Sequence, residues 1–210
     1  MNDKRGFTED YLLYLKITKD LFKICLVGDG GVGKSTFIHF LSTGNLIQDD
    51  SIQRTPYLNI DGCVLGGHNL QLYDLAGQRR KDAHPLDHMQ NVVLRGVDVL
   101  LFFFSLENLQ SFINIKNWYD ELKLFYKEWG NSQPIMYLIG NKLDLPRKVE
   151  SFNGEELVER LEDFKEYYEI SMVNGKNVEI FLKHLTDELD NRFKHISPEE
   201  FEKMKKQISK

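Results

Sequence analysis

The stretch Gly28-Asp29-Gly30-Gly31-Val32-Gly33-Lys34-Ser35 matches the phosphate-binding pattern G-x-x-x-x-G-K-[ST] at every position. The apolar run Phe22 to Val27 precedes it and predicts a short buried strand, and Thr36 to Leu41 predicts the first turns of a helix. Glycine lets such a loop curl with positive φ angles and lets its backbone approach a phosphate. Lys34 then supplies a positive charge for the β and γ phosphates, and Ser35 supplies a hydroxyl for Mg²⁺. The sequence therefore predicts a nucleotide-phosphate site in a strand-to-helix loop.

Length and composition restrict the class of protein. The chain has 210 residues, of which 41% are hydrophobic and 28% charged, so it is long enough for one domain with a full core. Its net charge of −5 argues against general affinity for nucleic acid. The two cysteines, Cys25 and Cys63, indicate a reducing compartment without a disulfide between them. No apolar run reaches the length of a membrane span, and no signal peptide is visible. We therefore expect a soluble, cytoplasmic protein, with peripheral attachment to membranes through partners as a further possibility.

Strand and helix patterns alternate along the rest of the chain. Tyr57 to Tyr73 predicts two strands joined by a turn at residues 66–69, with Asp61-Gly62 as a second candidate for the turn or for a bulge. The further predicted strands occupy residues 97–104, 134–139 and 167–170, and the predicted helices occupy residues 85–95, 109–129, 155–164 and 178–193. This alternation predicts a three-layer α/β fold, with a mostly parallel six-stranded sheet and helices on both faces. Together with the phosphate loop after the first strand, it indicates the P-loop NTPase fold.

Two polar motifs follow predicted strands at the edge of the sheet where ligands of such folds bind. They are Asp74-Leu75-Ala76-Gly77-Gln78, after the third strand, and Asn141-Lys142-Leu143-Asp144, after the fifth. The Asp144 carboxylate can accept hydrogen bonds from the N1–H and amino groups of guanine, a donor pair that adenine lacks. The stem of Lys142 can cover one face of the base, and Leu46 or Ile47 the other. The second motif therefore predicts selection of guanine and disfavours a P-loop kinase or ATPase.

Together the motifs resemble those of the Ras superfamily of small GTPases, over about residues 22–193. In this resemblance the phosphate loop is the first motif, Thr55 the second, and the two polar motifs the third and fourth. Ser171-Met172 is a weak form of the fifth, because Met172 and Val173 replace the usual alanine and lysine.

The resemblance leaves the subfamily open. Thr55 lies 19 residues before Asp74, a spacing similar to that of the Arf branch. The Asp-x-Ala-Gly-Gln and Asn-Lys-Leu-Asp forms are more similar to Ras and Rab. Ser51 is the alternative to Thr55 as the second motif.

The resemblance also implies a role for individual residues. Ser35 and Thr55 are the implied Mg²⁺ ligands, and Asp74 holds the ion through water. Gln78 orients the attacking water, and Lys34 and the Gly77 N–H act on the γ-phosphate, so these three are the implied catalytic residues. The implied nucleotide-binding residues are Asp29, Gly30, Gly31, Val32, Gly33, Lys34, Ser35, Thr36, Leu46, Thr55, Gly77, Asn141, Lys142, Asp144, Leu145, Ser171, Met172 and Val173.

The implied function is a GTP-binding switch that slowly hydrolyses GTP to GDP and phosphate and changes the loops that partners contact. The alternative is an interaction module that holds guanine nucleotide with negligible hydrolysis. The expected partners are GTPase-activating, exchange and effector proteins, and we expect a monomer. A separate activating protein is the expected source of a catalytic arginine, with Gly30 leaving room for it. Arg54, Arg79 and Arg80 are alternatives within the chain.

The predicted GTPase domain spans residues 21–195, between an N-terminal extension at 1–20 and a helical tail at 196–210. The pattern of residues 8–15 predicts a capped helix. This segment is expected to pack on the domain, as a helix or as an extra strand, and the alternative is a segment that contacts a partner or a membrane surface. Asn2 replaces the glycine of a myristoylation site, and the last four residues lack a cysteine, so we expect no intrinsic lipid anchor. The tail is expected to dock on protein, with weak membrane contact as the alternative.

Overall fold

A computed structural model gives the structure of residues 21–46, 55, 58–77, 93–129, 133–192 and 199, with the backbone alone at 127–129 and 192. The strands are β1 (Leu21–Val27), β2 (Leu58–Leu65), β3 (His68–Leu75), β4 (Val99–Ser105), β5 (Ile135–Asn141) and β6 (Phe164–Glu169). The helices longer than one turn are α1 (Lys34–Thr43), α2 (Leu109–Trp129), α3 (Ser151–Arg160) and α4 (Val178–Arg192).

The strands form a single sheet in the order β2-β3-β1-β4-β5-β6. β2 is antiparallel to β3, and the other neighbouring pairs are parallel. The turn between β2 and β3 lies at Gly66-Gly67, so the first of the two predicted turn positions is correct. The predicted mostly parallel six-stranded sheet is confirmed. Because β1 lies in the middle, the loop that follows it emerges near the centre of the carboxyl edge of the parallel strands.

Two apolar clusters lie on opposite faces of the sheet and make the predicted three layers. Successive side chains of a strand point to opposite faces. Phe102 and Phe104 accordingly pack in one cluster with Trp118 of α2, whereas Phe103 packs in the other with Phe37 of α1. α3 belongs to the first cluster and α4 to the second. All seven residues of β4 are buried, as expected for a central strand covered on both faces.

Two predicted elements differ from the observed ones. The helix predicted at 155–164 is α3, which begins earlier because Glu150 and Asn153 form a capping box ahead of the first turn. It ends at Arg160, and Phe164, predicted as helical, is the first residue of β6. The strand predicted at 167–170 therefore begins at 164 instead, where the charges of Lys165 and Glu166 face solvent at the edge of the sheet.

Smaller differences concern the motifs at the strand ends. Asp74 is part of β3, and Asn141 is the last residue of β5, so each motif begins inside its strand.

Some predicted elements lie outside the described residues. They are residues 85–92 of the helix predicted at 85–95, the helix predicted at 8–15, and all of the tail except residue 199. Cys25 and Cys63 are both free thiols. Among the described residues, no helix is long and apolar enough to cross a bilayer.

Candidate nucleotide-binding site

The loop between β1 and α1 has the curled backbone that its glycines predict. Gly28 has φ +132° and Gly33 has φ +102°, both in the region that favours glycine. Space is restricted as well, since a Cβ at Gly28 would lie 2.0 Å from the carbonyl oxygen of Phe103. A Cβ at Gly33 would lie 2.1 Å from Nδ2 of Asn141. Glycine is therefore required at both positions, for its conformation and for its size.

Lys34, the first residue of α1, folds its side chain back into this loop. Its Nζ donates to the carbonyl oxygens of Gly28 at 2.7 Å and Asp29 at 2.8 Å, and the residue is only 5% exposed. Burial lowers the pKa of Lys34 to about 8, while the carboxylates of Asp74 and Asp29 act in the opposite direction. The loop thus surrounds a buried ammonium group, which an anionic ligand would stabilise in its charged form.

Three oxygen-bearing side chains meet beside Lys34. Thr55 Oγ1 lies 3.0 Å from Ser35 Oγ and donates to Asp74 Oδ2 at 2.8 Å, and the Ser35 hydroxyl donates to the same carboxylate oxygen. Asp74 is 1% exposed, and its Oδ1 is buried with no hydrogen-bond partner among the described residues. Mg²⁺ prefers hard oxygen ligands of this kind, one or two from the protein and the rest from water and phosphate. The residues present therefore fit a Mg²⁺ ion.

The other polar motif lies on the opposite side of the phosphate loop. Asn141 donates through Nδ2 to the carbonyl oxygen of Val32 at 2.9 Å, which ties β5 to the loop. Its Oδ1 is buried and has no hydrogen-bond partner within the described part of the chain. Lys142, with φ +66°, places its Nζ 2.6 Å from Oε1 of Glu107. The positive φ at Lys142 turns the chain sharply between the buried Asn141 and the exposed Asp144.

The loop after β6 supports Asp144. The hydroxyl of the fully buried Ser171 donates to Asp144 Oδ1 at 2.6 Å, and the N–H of Leu143 donates to the carbonyl of Ile170 at 3.1 Å. Ser171 Oγ also accepts from the N–H groups of Val173 and Asn174, at 3.2 and 3.3 Å. A single hydroxyl thus shapes the loop and orients the carboxylate that is expected to select guanine.

The remaining predicted residues lie around this centre. Met172 is buried in the core, so it offers a ligand only its backbone, whereas Val173 and Leu145 are exposed. Leu46 lies beside the same loop, because a Cβ at Gly175 would be 3.4 Å from Leu46 Cδ1. Thr36 is half-buried in α1, and Gly30 and Gly31 are exposed.

Gly77 lies directly against the phosphate loop. A Cβ at this position would be 2.2 Å from the carbonyl carbon of Asp29 and 2.3 Å from the N of Gly30. Gln78, the predicted water-orienting residue, lies outside the described residues. The alternatives named above for the base, the metal and the arginine also lie there: Ile47, Ser51, Arg54, Arg79 and Arg80.

Two residues of this region were not predicted from the sequence. Asn114 Nδ2 donates to Asp29 Oδ2 at 2.6 Å, and Trp118 Nε1 donates to Asp29 Oδ1 at 3.1 Å. Both donors belong to α2, more than 80 residues away in sequence. The pattern of the helix predicts the burial of Trp118, which is 0% exposed, but gives no signal for its contact with the loop.

The fold and the phosphate loop define a protein of the P-loop nucleotide-binding class. A model of the Ras family matches residues 23–191, most of the chain. Relatives include rat Ras-related protein Rab-26 (30% identical, covering 81% of this chain and 64% of the relative) and human Rab-9A (32%, 75% and 77%). Human Rab-27B is 32% identical and covers 80% of this chain and 78% of the relative. The match thus spans just under two thirds of Rab-26.

The chain belongs to the Ras family, within the Ras superfamily of GTP-binding small GTPases. The relatives named above are all Rab proteins, and they belong to the part of the superfamily that includes proteins of membrane trafficking.

Proposed function

We propose that this chain is a GTP-binding switch that requires Mg²⁺ and slowly hydrolyses GTP to GDP and phosphate. The observation that carries the proposal is the convergence of Ser35, Thr55 and Asp74 beside the buried ammonium of Lys34. A phosphate loop alone would support only the binding of an anion. The three oxygen groups add a place for a divalent cation, and the cation and lysine together can neutralise the charge of a triphosphate.

The proposed roles combine the positions of the described side chains with the roles that the family resemblance implies for Gly77 and Gln78. Lys34 would bind the phosphates as a point charge. Ser35 and Thr55 would hold Mg²⁺ through their hydroxyl groups, and Asp74 would hold it through water. The Gly77 N–H donates to the γ-phosphate, and Gln78 orients the water that attacks it. A bound Mg²⁺ would neutralise negative charge on the β and γ phosphates.

The residues around Asp144 support guanine as the base of the bound nucleotide. Asp144 is held in place by the Ser171 hydroxyl, so its remaining lone pairs are available for the paired N–H donors of guanine. Leu46 and the stem of Lys142 are proposed to cover the two faces of the base. Because the Met172 side chain is buried in the core, we propose that this loop contacts the base through its backbone groups.

Thr55 and Gly77 link the chemistry to partners. Both are expected to be held only while the γ-phosphate is present, so hydrolysis would release both loops and alter the surface around them. We propose that activating, exchange and effector proteins recognise this difference, and that the protein acts in the cytoplasm and reaches membranes through such partners.

The experiment has two stages. The purified full chain is denatured and the released nucleotide identified by chromatography, with GDP or GTP expected. GTP turnover is then followed with and without a cell extract. Bound adenine nucleotide, or none, would overturn the proposal. Bound GTP without turnover in either condition would support the interaction-module alternative instead.

A matched pair of variants tests the metal site. Ser35→Ala removes a proposed ligand, whereas Ser42→Ala removes an exposed hydroxyl from the same helix. Removing Mg²⁺ with EDTA should accelerate GDP release from the wild type and from Ser42→Ala. Ser35→Ala should release GDP quickly even with Mg²⁺, and EDTA should add little. An EDTA response of Ser35→Ala equal to that of wild type would show that its hydroxyl is not a metal ligand.

A further inference from the structure

The side chain of Asp29 places a carboxylate on the loop that is proposed to bind the phosphates. A negative charge near the phosphates opposes their binding by electrostatic repulsion. Asp29 is close enough to Lys34 for its charge to raise the pKa of the ammonium group. Its side chain is, however, directed at α2, where both carboxylate oxygens accept hydrogen bonds. Oδ2 accepts from Asn114 Nδ2 at 2.6 Å and Oδ1 from Trp118 Nε1 at 3.1 Å.

The backbone of the same residue lies at the centre of the phosphate site. The Asp29 carbonyl oxygen accepts from Lys34 Nζ at 2.8 Å. Its carbonyl carbon is so close to Gly77 that a Cβ on that glycine would lie 2.2 Å away. A rotation of the Asp29 peptide would therefore move an acceptor of the catalytic lysine and change the contact with Gly77.

The two donors are well suited to prevent such a rotation. Trp118 is 0% exposed and packs in the core cluster with Phe102 and Phe104, so its indole is held by the sheet. Asn114 is one helical turn earlier on α2 and half-buried. Hydrogen bonds to a charged acceptor are about twice as strong as neutral ones, and two donors on a rigid helix fix both oxygens of the carboxylate.

We propose that Asn114 and Trp118 are positioning residues for the phosphates of the nucleotide. They hold Asp29 through its side chain and thereby fix the loop peptide that supports Lys34. Loss of either hydrogen bond should let the loop relax and accelerate the release of nucleotide. This inference rests on the proposed function, since it concerns the same phosphate site.

The test measures the release of fluorescently labelled GDP from the full-length protein in Mg²⁺. Trp118→Phe keeps an aromatic ring in the core and removes the N–H donor, and Asn114→Ala removes the other donor. Neither of these two substitutions changes the net charge of the protein. Asn117→Ala, at an exposed neighbouring position on α2, is the matched control. Trp118→Phe is also made in an Asp29→Ala background, because a donor that acts through Asp29 has no role once that carboxylate is absent.

We expect Trp118→Phe and Asn114→Ala each to accelerate release about ten-fold, equivalent to about 1.4 kcal/mol, and Asn117→Ala to leave it unchanged. In the Asp29→Ala background, Trp118→Phe should change the rate less than about two-fold. An equal effect of Trp118→Phe in both backgrounds would assign it to core packing and overturn the proposal. Wild-type release rates for both variants would overturn it too. Failure of the wild type to bind GDP would instead refute the proposed function.

Discussion

Ser171→Ala tests whether the loop after β6 orients Asp144, the carboxylate proposed to select guanine. The Ser171 hydroxyl donates to Asp144 Oδ1 at 2.6 Å and accepts from the N–H groups of Val173 and Asn174. Alanine removes this oxygen from a fully buried position with little change in volume. Asp144 then loses a donor that fixes its rotamer, and the two N–H groups lose that acceptor.

The expected magnitude follows from the hydrogen bond that is lost. A hydrogen bond to a charged group contributes about 1.5–3 kcal/mol, and the lower value applies because Asp144 is exposed to water. About 1.5 kcal/mol corresponds to about ten-fold in affinity. GDP, which presents both N1–H and an amino group, should lose this factor. IDP lacks the amino group, so its affinity should fall by a smaller factor. The ratio of the affinities for GDP and IDP should therefore decrease.

Competition of GDP and IDP against labelled GDP measures this preference. The control is Thr186→Ala, which removes a hydroxyl from α4 that donates to the Lys183 carbonyl at 2.8 Å. It should leave the ratio of the two affinities unchanged. A Ser171→Ala protein with the GDP-to-IDP ratio of the wild type would refute the idea that Ser171 orients Asp144.

Three more predictions concern single residues. Asp144→Asn should weaken the binding of GTP and shift the preference toward xanthine nucleotide, because the carbonyl group of xanthine can accept from the amide of asparagine. The control Asp187→Asn on α4 should leave this preference unchanged. Competition between the two nucleotides measures the preference. Gln78→Leu should slow single-turnover GTP hydrolysis well below the wild-type rate, which we expect near the Ras-like value of about 10⁻⁴ per second, and equal rates would exclude Gln78 as the water-orienting residue. Burial lowers the pKa of Lys34 to about 8, so the folded state releases its proton at lower pH than the unfolded state. The unfolding free energy of the nucleotide-free protein should therefore rise by up to about 1.4 kcal/mol per pH unit between pH 8 and 10, and rise less in Lys34→Met, as denaturant titration can measure.

Elements with strong local patterns were predictable from the sequence. The amphipathic pattern gives both ends of α2 at Leu109 and Trp129, and the apolar runs give the buried strands β4 and β5 within two residues at each end. β6 was predicted too short because it is an edge strand, where outward residues such as Lys165 and Glu166 are charged and hide the strand pattern. The start of α3 depends on a capping box whose glutamate stands where serine or threonine is usual.

The candidate site was predictable where a motif or the family resemblance names the residues, as it does for Ser35, Thr55 and Asp74. It was not predictable where other elements contact those motifs. The phosphate loop and the pair Asn141 and Asp144 are recognisable from spacing and chemistry. The contacts of Asp29 with α2 are not, because they depend on how far that helix is shifted and rotated against the loop. Tertiary packing sets those quantities, and no local pattern records them.

The phosphate loop is therefore held by three parts of the fold at once. Asn141 at the end of β5 binds the Val32 carbonyl, α2 binds the Asp29 carboxylate, and Gly77 after β3 lies against the Asp29 backbone. A loop with three glycines at positive φ has little conformational preference of its own, so these contacts select its shape. If the proposed function is correct, affinity for nucleotide is a property of the packed domain. The ends of β3 and β5, where the residues proposed to hold the metal and to contact the base lie, also carry residues that hold the phosphate loop.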